Sequence, residues 1–361
     1  MFEQVLQVID HFNANDGVGR IILDFATTLD GQKIHNRLFT ITIDKKNSFG
    51  RKKWANADTL HENITPKTLV IFHFATATSL SVIVSGLNCP KVLLYHNITP
   101  PVFFCKYNPK MQDIITSGGY KEIVYMASHF SYAWGDSEYN CSQLREAGYA
   151  RTAVANPPYD FSRFSAIQPN KRIRKRAGIK SILFVGRVSP NKRHEDIIKA
   201  FYYYHRINPN SELTLVGSCK DFEDYRDDLA QMAAESNLPV KITGNVPLDE
   251  LAAYYKNADL FLCMSEHEGF CLPLIEAMYF DVPVLAFDSS AVTETVGNAG
   301  IIFKQKHFPS IACLMDEVLK NTALQNRMKA AGRERALYYS KENASKRLVS
   351  LIEDYASELN I

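Results

Sequence analysis

Neither sign of charge dominates this chain. Its 41 Lys and Arg residues stand against 39 Asp and Glu, a formal net charge of +2 over 361 residues. Nucleic acid, which calls for a basic excess, is therefore not an expected partner. The seven cysteines are odd in number and include no C-x-x-C pair. That argues against a disulfide framework or structural zinc and for a reducing cytosol. Met1-Phe2-Glu3-Gln4 lacks the basic stretch and apolar core of a secretion signal. The nearest approach to a membrane-spanning run, Thr68 to Leu87, holds His73 and six Ser or Thr residues, and its first part reads as a strand. No Asp-x-Asp stands at a strand end, and the histidines are scattered rather than spaced as ligands. Neither a metal nor any other cofactor is expected. Internal repeats and low-complexity tracts are missing as well.

With 46% hydrophobic and 22% charged residues the chain is globular, and its length exceeds what one ordinary core supports. Short apolar runs alternate with helical patterns throughout. Strands are expected at Gln4–Ile9, Arg37–Ile43, Leu69–Phe74, Lys91–Tyr95 and Tyr132–Gly135. They recur at Ile182–Val185, Glu212–Val216, Val240–Thr243, Leu260–Cys263, Val284–Ala286 and Gly300–Phe303, with helices that include Glu195–His205, Tyr225–Glu235 and Leu248–Lys256 between them. This alternation predicts α/β architecture with parallel sheets covered on both faces. A turn-rich and then basic stretch, from Asn156-Pro157-Pro158-Tyr159 to Lys171–Arg176, marks a boundary. The expected domains are residues 1–157 and 158–340.

The segment Glu268-Gly269-Phe270-Cys271-Leu272-Pro273-Leu274-Ile275-Glu276 follows a predicted buried strand. Pro273 suits the first turn of a helix, which puts Glu268 in the strand-to-helix loop and Glu276 about one turn inside the helix. Gly269 lets backbone come close to a ligand at a helix N-terminus, a natural anion site. Two carboxylates around such a site suit a ligand that offers hydroxyls as well as phosphate. An earlier strand ends in Gly186-Arg187, with Lys192 a few residues on. The Arg fork and the compact Lys charge together neutralise a diphosphate without a metal. Two surface cations beside a helix are the plain alternative.

Gly186-Arg187…Lys192, Ser265-Glu266-His267-Glu268-Gly269-Phe270 and Glu276-Ala277-Met278 resemble the donor half of the retaining family 4 glycosyltransferases, whose fold is GT-B: two Rossmann-like doubly wound domains facing across a cleft. Val282-Pro283-Val284 and Glu294-Thr295-Val296-Gly297-Asn298-Ala299-Gly300 continue the resemblance in register over roughly residues 180–303. It implies that residues 158–340 bind a nucleotide sugar and residues 1–157 an acceptor, with a C-terminal helix at about 341–361 returning to the first domain. Glu268 then meets the transferred sugar's hydroxyls, Glu276 the nucleotide ribose, and Arg187 and Lys192 the diphosphate. Gly186, Gly269, Phe270, Cys271 and Leu272 line the donor site, and backbone at Asn245 and Val246 grips the base. Two departures stand out. Cys271 and Asp281 occupy positions where the family usually has Gly.

In Asn13-Ala14-Asn15-Asp16-Gly17-Val18-Gly19-Arg20, between a strand and a helix starting near Val18, the resemblance turns Gly17 and Gly19 toward the donor phosphates; a plain turn is the other reading. Ile22 stands where a full G-x-G-x-x-G needs its last Gly, which excludes a nicotinamide site. His96, just after Lys91–Tyr95, matches in order and context the family's active-site histidine, implying a hydrogen bond to the transferred sugar's sixth-position hydroxyl. Asn97-Ile98-Thr99-Pro100 resembles a subgroup acting in bacterial surface-polysaccharide mannosyl transfer. Ser137 reads as an N-cap, with Asn140 exposed nearby.

No pair of carboxylates suits a covalent glycosyl intermediate, so same-face attack is expected. A donor phosphate oxygen takes the acceptor's proton while Arg187 and Lys192 hold the leaving diphosphate. Preorganised donors of this kind contribute about 3 kcal/mol each. The expected activity is hexosyl transfer, with mannose from GDP-mannose first and a UDP-hexose second, to a glycan or lipid-linked glycan in surface polysaccharide (lipopolysaccharide) biosynthesis. A non-catalytic sugar-nucleotide-binding subunit, a phosphorylase and an epimerase or hydrolase are the alternatives. Aromatics of Pro100–Tyr107 are expected to be exposed for sugar or lipid, and Lys171–Arg176 to meet anionic headgroups or to be a solvated linker. Peripheral contact with the inner face of the cell membrane belongs to the first of these.

Overall fold

A computed structural model describes residues 2–14, 16–43 and 54–361. The chain forms two compact units. The first comprises residues 1–101, 110–160 and 339–361, and the second residues 102–109 and 161–338.

In the first unit seven strands make one parallel sheet: β1 (Gln4–Phe12), β2 (His35–Ile43), β3 (Trp54–Asn56), β4 (Thr68–Phe74), β5 (Lys91–Tyr95), β6 (Tyr132–Gly135) and β7 (Thr152–Val154). Their spatial order is 3-2-1-4-5-6-7. β4 is buried along its whole length, as strands covered on both faces are. Leu69 and Ile71 from β4 join Val5, Val92, Leu94 and Trp134 in the core. The helix Lys341–Glu358 adds Leu348, Ile352, Tyr355 and Ala356 to the same cluster. Where the chain leaves and re-enters this unit, Tyr159 N–H donates to the Tyr339 carbonyl at 3.1 Å and Lys341 N–H to the Tyr159 carbonyl at 2.8 Å.

The second unit holds a six-stranded parallel sheet: β8 (Lys180–Val185), β9 (Ser211–Val216), β10 (Val240–Ile242), β11 (Leu260–Cys263), β12 (Val284–Phe287) and β13 (Ile301–Phe303), in the order 10-9-8-11-12-13. β8 lies at the point where the order reverses, between β9 and β11. Open α/β sheets bind ligands beyond the carboxyl ends of the strands at such a switch point.

Two short strands went unforeseen, and the expectations for one segment need correction. β3 and β7, three-residue strands at the two sheet edges, carry no apolar run long enough to announce them. Val102–Pro109 groups with the second unit, not the first. Its aromatics are packed rather than offered outward: Phe104 is buried and stacks on Phe222 at 5.9 Å, Tyr107 lies 4.9 Å from Tyr225, and Lys106 pairs with Asp228 at 2.8 Å. In the basic stretch, Lys175 pairs with Asp259 at 2.6 Å and Arg176 pairs with Glu212. Thr68–Leu87 forms β4 and the short helix Leu80–Ser85. Among the described residues no helix is long and apolar enough to cross a membrane.

Candidate active site

The loop after β8 carries Gly186, Arg187 and Lys192. Gly186 N–H donates to the Val216 carbonyl at 2.9 Å. The neighbouring loop comes so close that a Cβ on Gly217 would lie 1.9 Å from the Gly186 oxygen, and Gly217 has φ +157°. Arg187 is about half exposed and is held from one side, with Nη2 donating to Asp221 at 2.9 Å and to the Lys220 carbonyl at 3.1 Å. A 3-10 turn, Pro190–Lys192, leads through Arg193 at φ +53° into the helix His194–Ile207. That reversal turns Lys192 inward, where its ammonium pairs with Glu268.

Glu268 sits in the loop after β11, and several bonds fix that loop against the one after β8. Glu266 N–H donates to the Asn191 carbonyl at 2.9 Å and Asn191 Nδ2 to the His267 carbonyl at 3.1 Å. Lys306 ties Asp196 at 2.9 Å to Glu266 at 2.8 Å. Glu268 N–H donates to Ser290 Oγ at 2.8 Å. Glu268 is 6% exposed, with Oε2 facing Lys192 while the buried Oε1 has no hydrogen-bond partner among the described residues. Burial works to lower the Lys192 pKa, but the Glu268 charge outweighs it and the net shift is upward. The same surroundings keep two histidines neutral. Burial, reinforced by the Lys192 charge, pushes His194 down to about 3. Burial also takes His267 down to about 4, with Glu268 opposing and Lys192 assisting.

Gly269, Phe270 and Cys271 connect this loop to the helix Leu272–Tyr279, and Thr295 Oγ1 donates to the Phe270 carbonyl at 2.5 Å. Cys271 has φ +74° and Asp281 φ +59°. Both departures from the family's glycines therefore keep the left-handed backbone that glycine adopts without strain. Glu276 is buried on the helix. Its Oε1 accepts from Arg163 Nη2 at 2.5 Å and its Oε2 from the Tyr255 hydroxyl at 2.6 Å. Asn245 and Val246 follow β10 in a loop whose Gly244 has φ +71°, and Asn245 is exposed. Lys192 and Glu268 are thus brought into direct contact, whereas Arg187 and Glu276 each have partners of their own.

A hollow of about 590 Å³ lies beside this loop in the second unit. Its walls include Phe103, Lys106, Tyr107, Arg193, Tyr225 and Glu266, the last two positions before Glu268.

In the first unit His96 is buried, and both ring nitrogens are engaged. Nδ1 faces the Asp136 carboxylate at 2.9 Å and Nε2 faces His73 Nδ1 at 2.9 Å. His73 Nε2 in turn lies 3.0 Å from Gln7 Oε1. Burial and the neighbouring His96 push the His73 pKa well below its ordinary value. A His96 ring nitrogen therefore reaches a sugar only by giving up Asp136 or His73. Gly19 has an intramolecular role. Its N–H is donated to Asp16 Oδ1 at 2.7 Å, the N-cap bond of the helix Gly17–Gly31. A Cβ on Gly19 would lie 1.8 Å from the Asn13 oxygen, so close packing by itself demands this glycine. Gly17 has open space around it; Asn15 lies outside the described residues. Ser137 does cap its helix, accepting from Asn140 N–H at 3.2 Å, but Asn140 is buried, donating to the Tyr95 carbonyl at 3.0 Å.

Asp136, His73, Gln7, Arg163 and Tyr255 escaped the sequence reading. A single signal was available: Gln7 and His73 are buried polar residues set between apolar neighbours, Leu6 and Val8 in β1 and Phe72 and Phe74 in β4.

Residues 168–335 match the family model for glycosyl transferases group 1. The chain is 24% identical over 171 residues to O-antigen chain mannosyltransferase B of Escherichia coli, covering 46% of this chain and 44% of that protein. It is 25% identical over 234 residues to the GDP-mannose-dependent monoacylated alpha-(1-6)-phosphatidylinositol monomannoside mannosyltransferase of Corynebacterium glutamicum, covering 60% of each. The alignments span less than half the length of the first of these curated relatives. Among solved structures, a sucrose-phosphate synthase from Thermosynechococcus elongatus superimposes with a TM-score of 0.73 at 17% identity, over 98% of this chain and 100% of that one. Anabaena HepE, in complex with UDP and glucose, gives 0.72 at 16% identity over 98% and 100%. Residues 168–335 therefore carry the group 1 glycosyl transferase pattern, on a chain of two parallel-sheet units with the GT-B fold.

Proposed function

We propose that this protein is a retaining, metal-independent glycosyltransferase that moves a hexose from a nucleotide sugar to a glycan or lipid-linked glycan. Mannose from GDP-mannose is the first donor to test. The observation that carries this reading is the Lys192–Glu268 pair at the sheet's switch point, within the segment that matches group 1 glycosyl transferases. An incoming diphosphate offers Lys192 a second anion, and Glu268 keeps an oxygen for a sugar hydroxyl. Arg187, about half exposed and held by Asp221, the Lys220 carbonyl and the Phe222 ring at 4.9 Å, is available to the other side of the diphosphate.

Both carboxylates of the motif have cationic partners, Lys192 for Glu268 and Arg163 for Glu276. Neither is in the situation of a glycosidase nucleophile facing an acid. The chemistry assigned to the chain is therefore charge stabilisation of the departing diphosphate, while one of its oxygens accepts the acceptor's proton. The hollow that ends at Glu266 is the candidate acceptor approach.

The test is release of nucleoside diphosphate from GDP-mannose, and separately from UDP-glucose, with and without a mannosylated lipid acceptor. Acceptor-dependent release with an axial product by NMR is expected. Donor binding without release would make the chain a binding subunit, and release of an inverted product would remove the retaining mechanism.

A further inference from the structure

A second chemistry is built into the same loop. Cys263 at the end of β11, Cys271 before the helix Leu272–Tyr279 and the Glu268 carboxylate are all buried, and their ligand atoms lie within 4.8 Å of one another. Cys271 points its thiol there from a left-handed backbone position, φ +74°. The third corner is the Glu268 carboxylate, whose Oε1 is buried without a hydrogen-bond partner among the described residues and is the oxygen left free by Lys192.

We propose that Cys263, Cys271 and Glu268 Oε1 form a binding site for a thiophilic divalent cation such as Zn²⁺. Tetrahedral zinc with Zn–S of about 2.3 Å asks for ligand atoms about 3.8 Å apart, a spacing inside the 4.8 Å that bounds the present cluster. Two sulfurs and one carboxylate oxygen select zinc over magnesium or calcium, and three protein ligands leave the fourth corner to water. Charge also balances. Both thiols release their protons to solvent, and two thiolates with one carboxylate offset the dication and the Lys192 ammonium. Glu268 need not leave Lys192, because its two oxygens serve different partners.

Such a cation is an inhibitor rather than a cofactor, since it occupies the oxygen assigned to the donor sugar. That consequence rests on the function proposed above; the site itself does not.

Titration of the reduced protein with Co²⁺ tests the site without any donor or acceptor. A thiolate-to-cobalt absorption band is expected, displaced by Zn²⁺. It should persist in a Cys105→Ala/Cys313→Ala variant, which removes the two exposed thiols. It should vanish in Cys263→Ala and in Cys271→Gly, a change suited to the left-handed backbone. Losing one ligand should weaken Zn²⁺ binding more than the about 10- to 100-fold typical of a supporting residue. Absence of the band in the wild-type protein, or its survival in Cys271→Gly, overturns the proposal. A band with Zn²⁺-insensitive turnover would uphold the site and overturn the donor role of Glu268.

Discussion

Lys192 and Glu268, 76 positions apart in the chain, neutralise each other inside the second unit, whereas Arg187 meets its partner Asp221 at the surface. The two cations assigned to one diphosphate therefore differ sharply in what their removal does to the fold. Lys192→Ala leaves a buried carboxylate without its counter-charge and should lower stability by about 3 kcal/mol. Arg187→Ala breaks a half-exposed pair of the kind that contributes about 0–1 kcal/mol. Both should reduce turnover by orders of magnitude. Urea unfolding alongside steady-state kinetics separates the effects, and near-normal turnover in Arg187→Ala would remove that residue from the site.

Glu276 accepts from both Arg163 and the Tyr255 hydroxyl. Tyr255→Phe deletes a hydrogen bond to a charged group, about 1.5–3 kcal/mol. Thermal and urea unfolding should show that loss. KM for the nucleotide sugar should rise more than kcat falls if Glu276 orients the ribose.

Acid should destabilise the protein well before the carboxylates titrate. His194 is held down to about 3 and His267 to about 4, and His73 is also well below its usual value. An unfolded histidine takes a proton near pH 6.5, while these folded ones do not. Stability present above pH 6.5 is thus lost as pH falls toward 4 and 3, by up to about 1.4 kcal/mol per pH unit for each histidine. Urea midpoints at pH 7.5, 6 and 5 check this. His194→Leu should flatten the slope, and a pH-independent midpoint would contradict it.

The His96–Asp136 pair is more buried than the one at Glu268, with side chains 1% and 4% exposed against 19% and 6%. Asp136→Asn removes the buried carboxylate that His96 Nδ1 faces and should cost about 1.5–3 kcal/mol, the range for a hydrogen bond to a charged group. The double variant with His96→Gln should cost less than the sum of the single changes, as contacting residues do in a double-mutant cycle. Strict additivity would mean that the two side chains do not act together.

Turnover should be undiminished in excess EDTA. Complete loss restored by manganese would overturn the metal-independent mechanism.

Much of this architecture was legible because apolar runs bounded by Gly and Pro mark buried parallel strands. β4, β5 and β11 are fully apolar or nearly so, and the loops after β8 and β11 carry their own punctuation in Gly186, Pro190, Gly269 and Pro273. What escaped depends on contacts between distant positions. Arg163 finds Glu276 across 113 residues, and no local pattern records it. Asn140 looked exposed because asparagine usually is, yet a strand-end carbonyl at Tyr95 draws it inside. Gly19 illustrates a different ambiguity: glycine serves close packing and ligand approach alike, and the 1.8 Å to the Asn13 oxygen reveals a packing demand that the sequence does not record.

The return of Lys341–Glu358 to the first unit bears on how the chain is made. Leu348, Ile352 and Tyr355 complete a core whose other members, from Phe2 to Ala155, have left the ribosome long before. The nascent first unit must wait with an open apolar face while all of residues 161–338 are synthesised, so it cannot finish folding vectorially. A pulse-proteolysis comparison of stalled chains ending before and after this helix should show the first unit becoming resistant only once the helix has emerged.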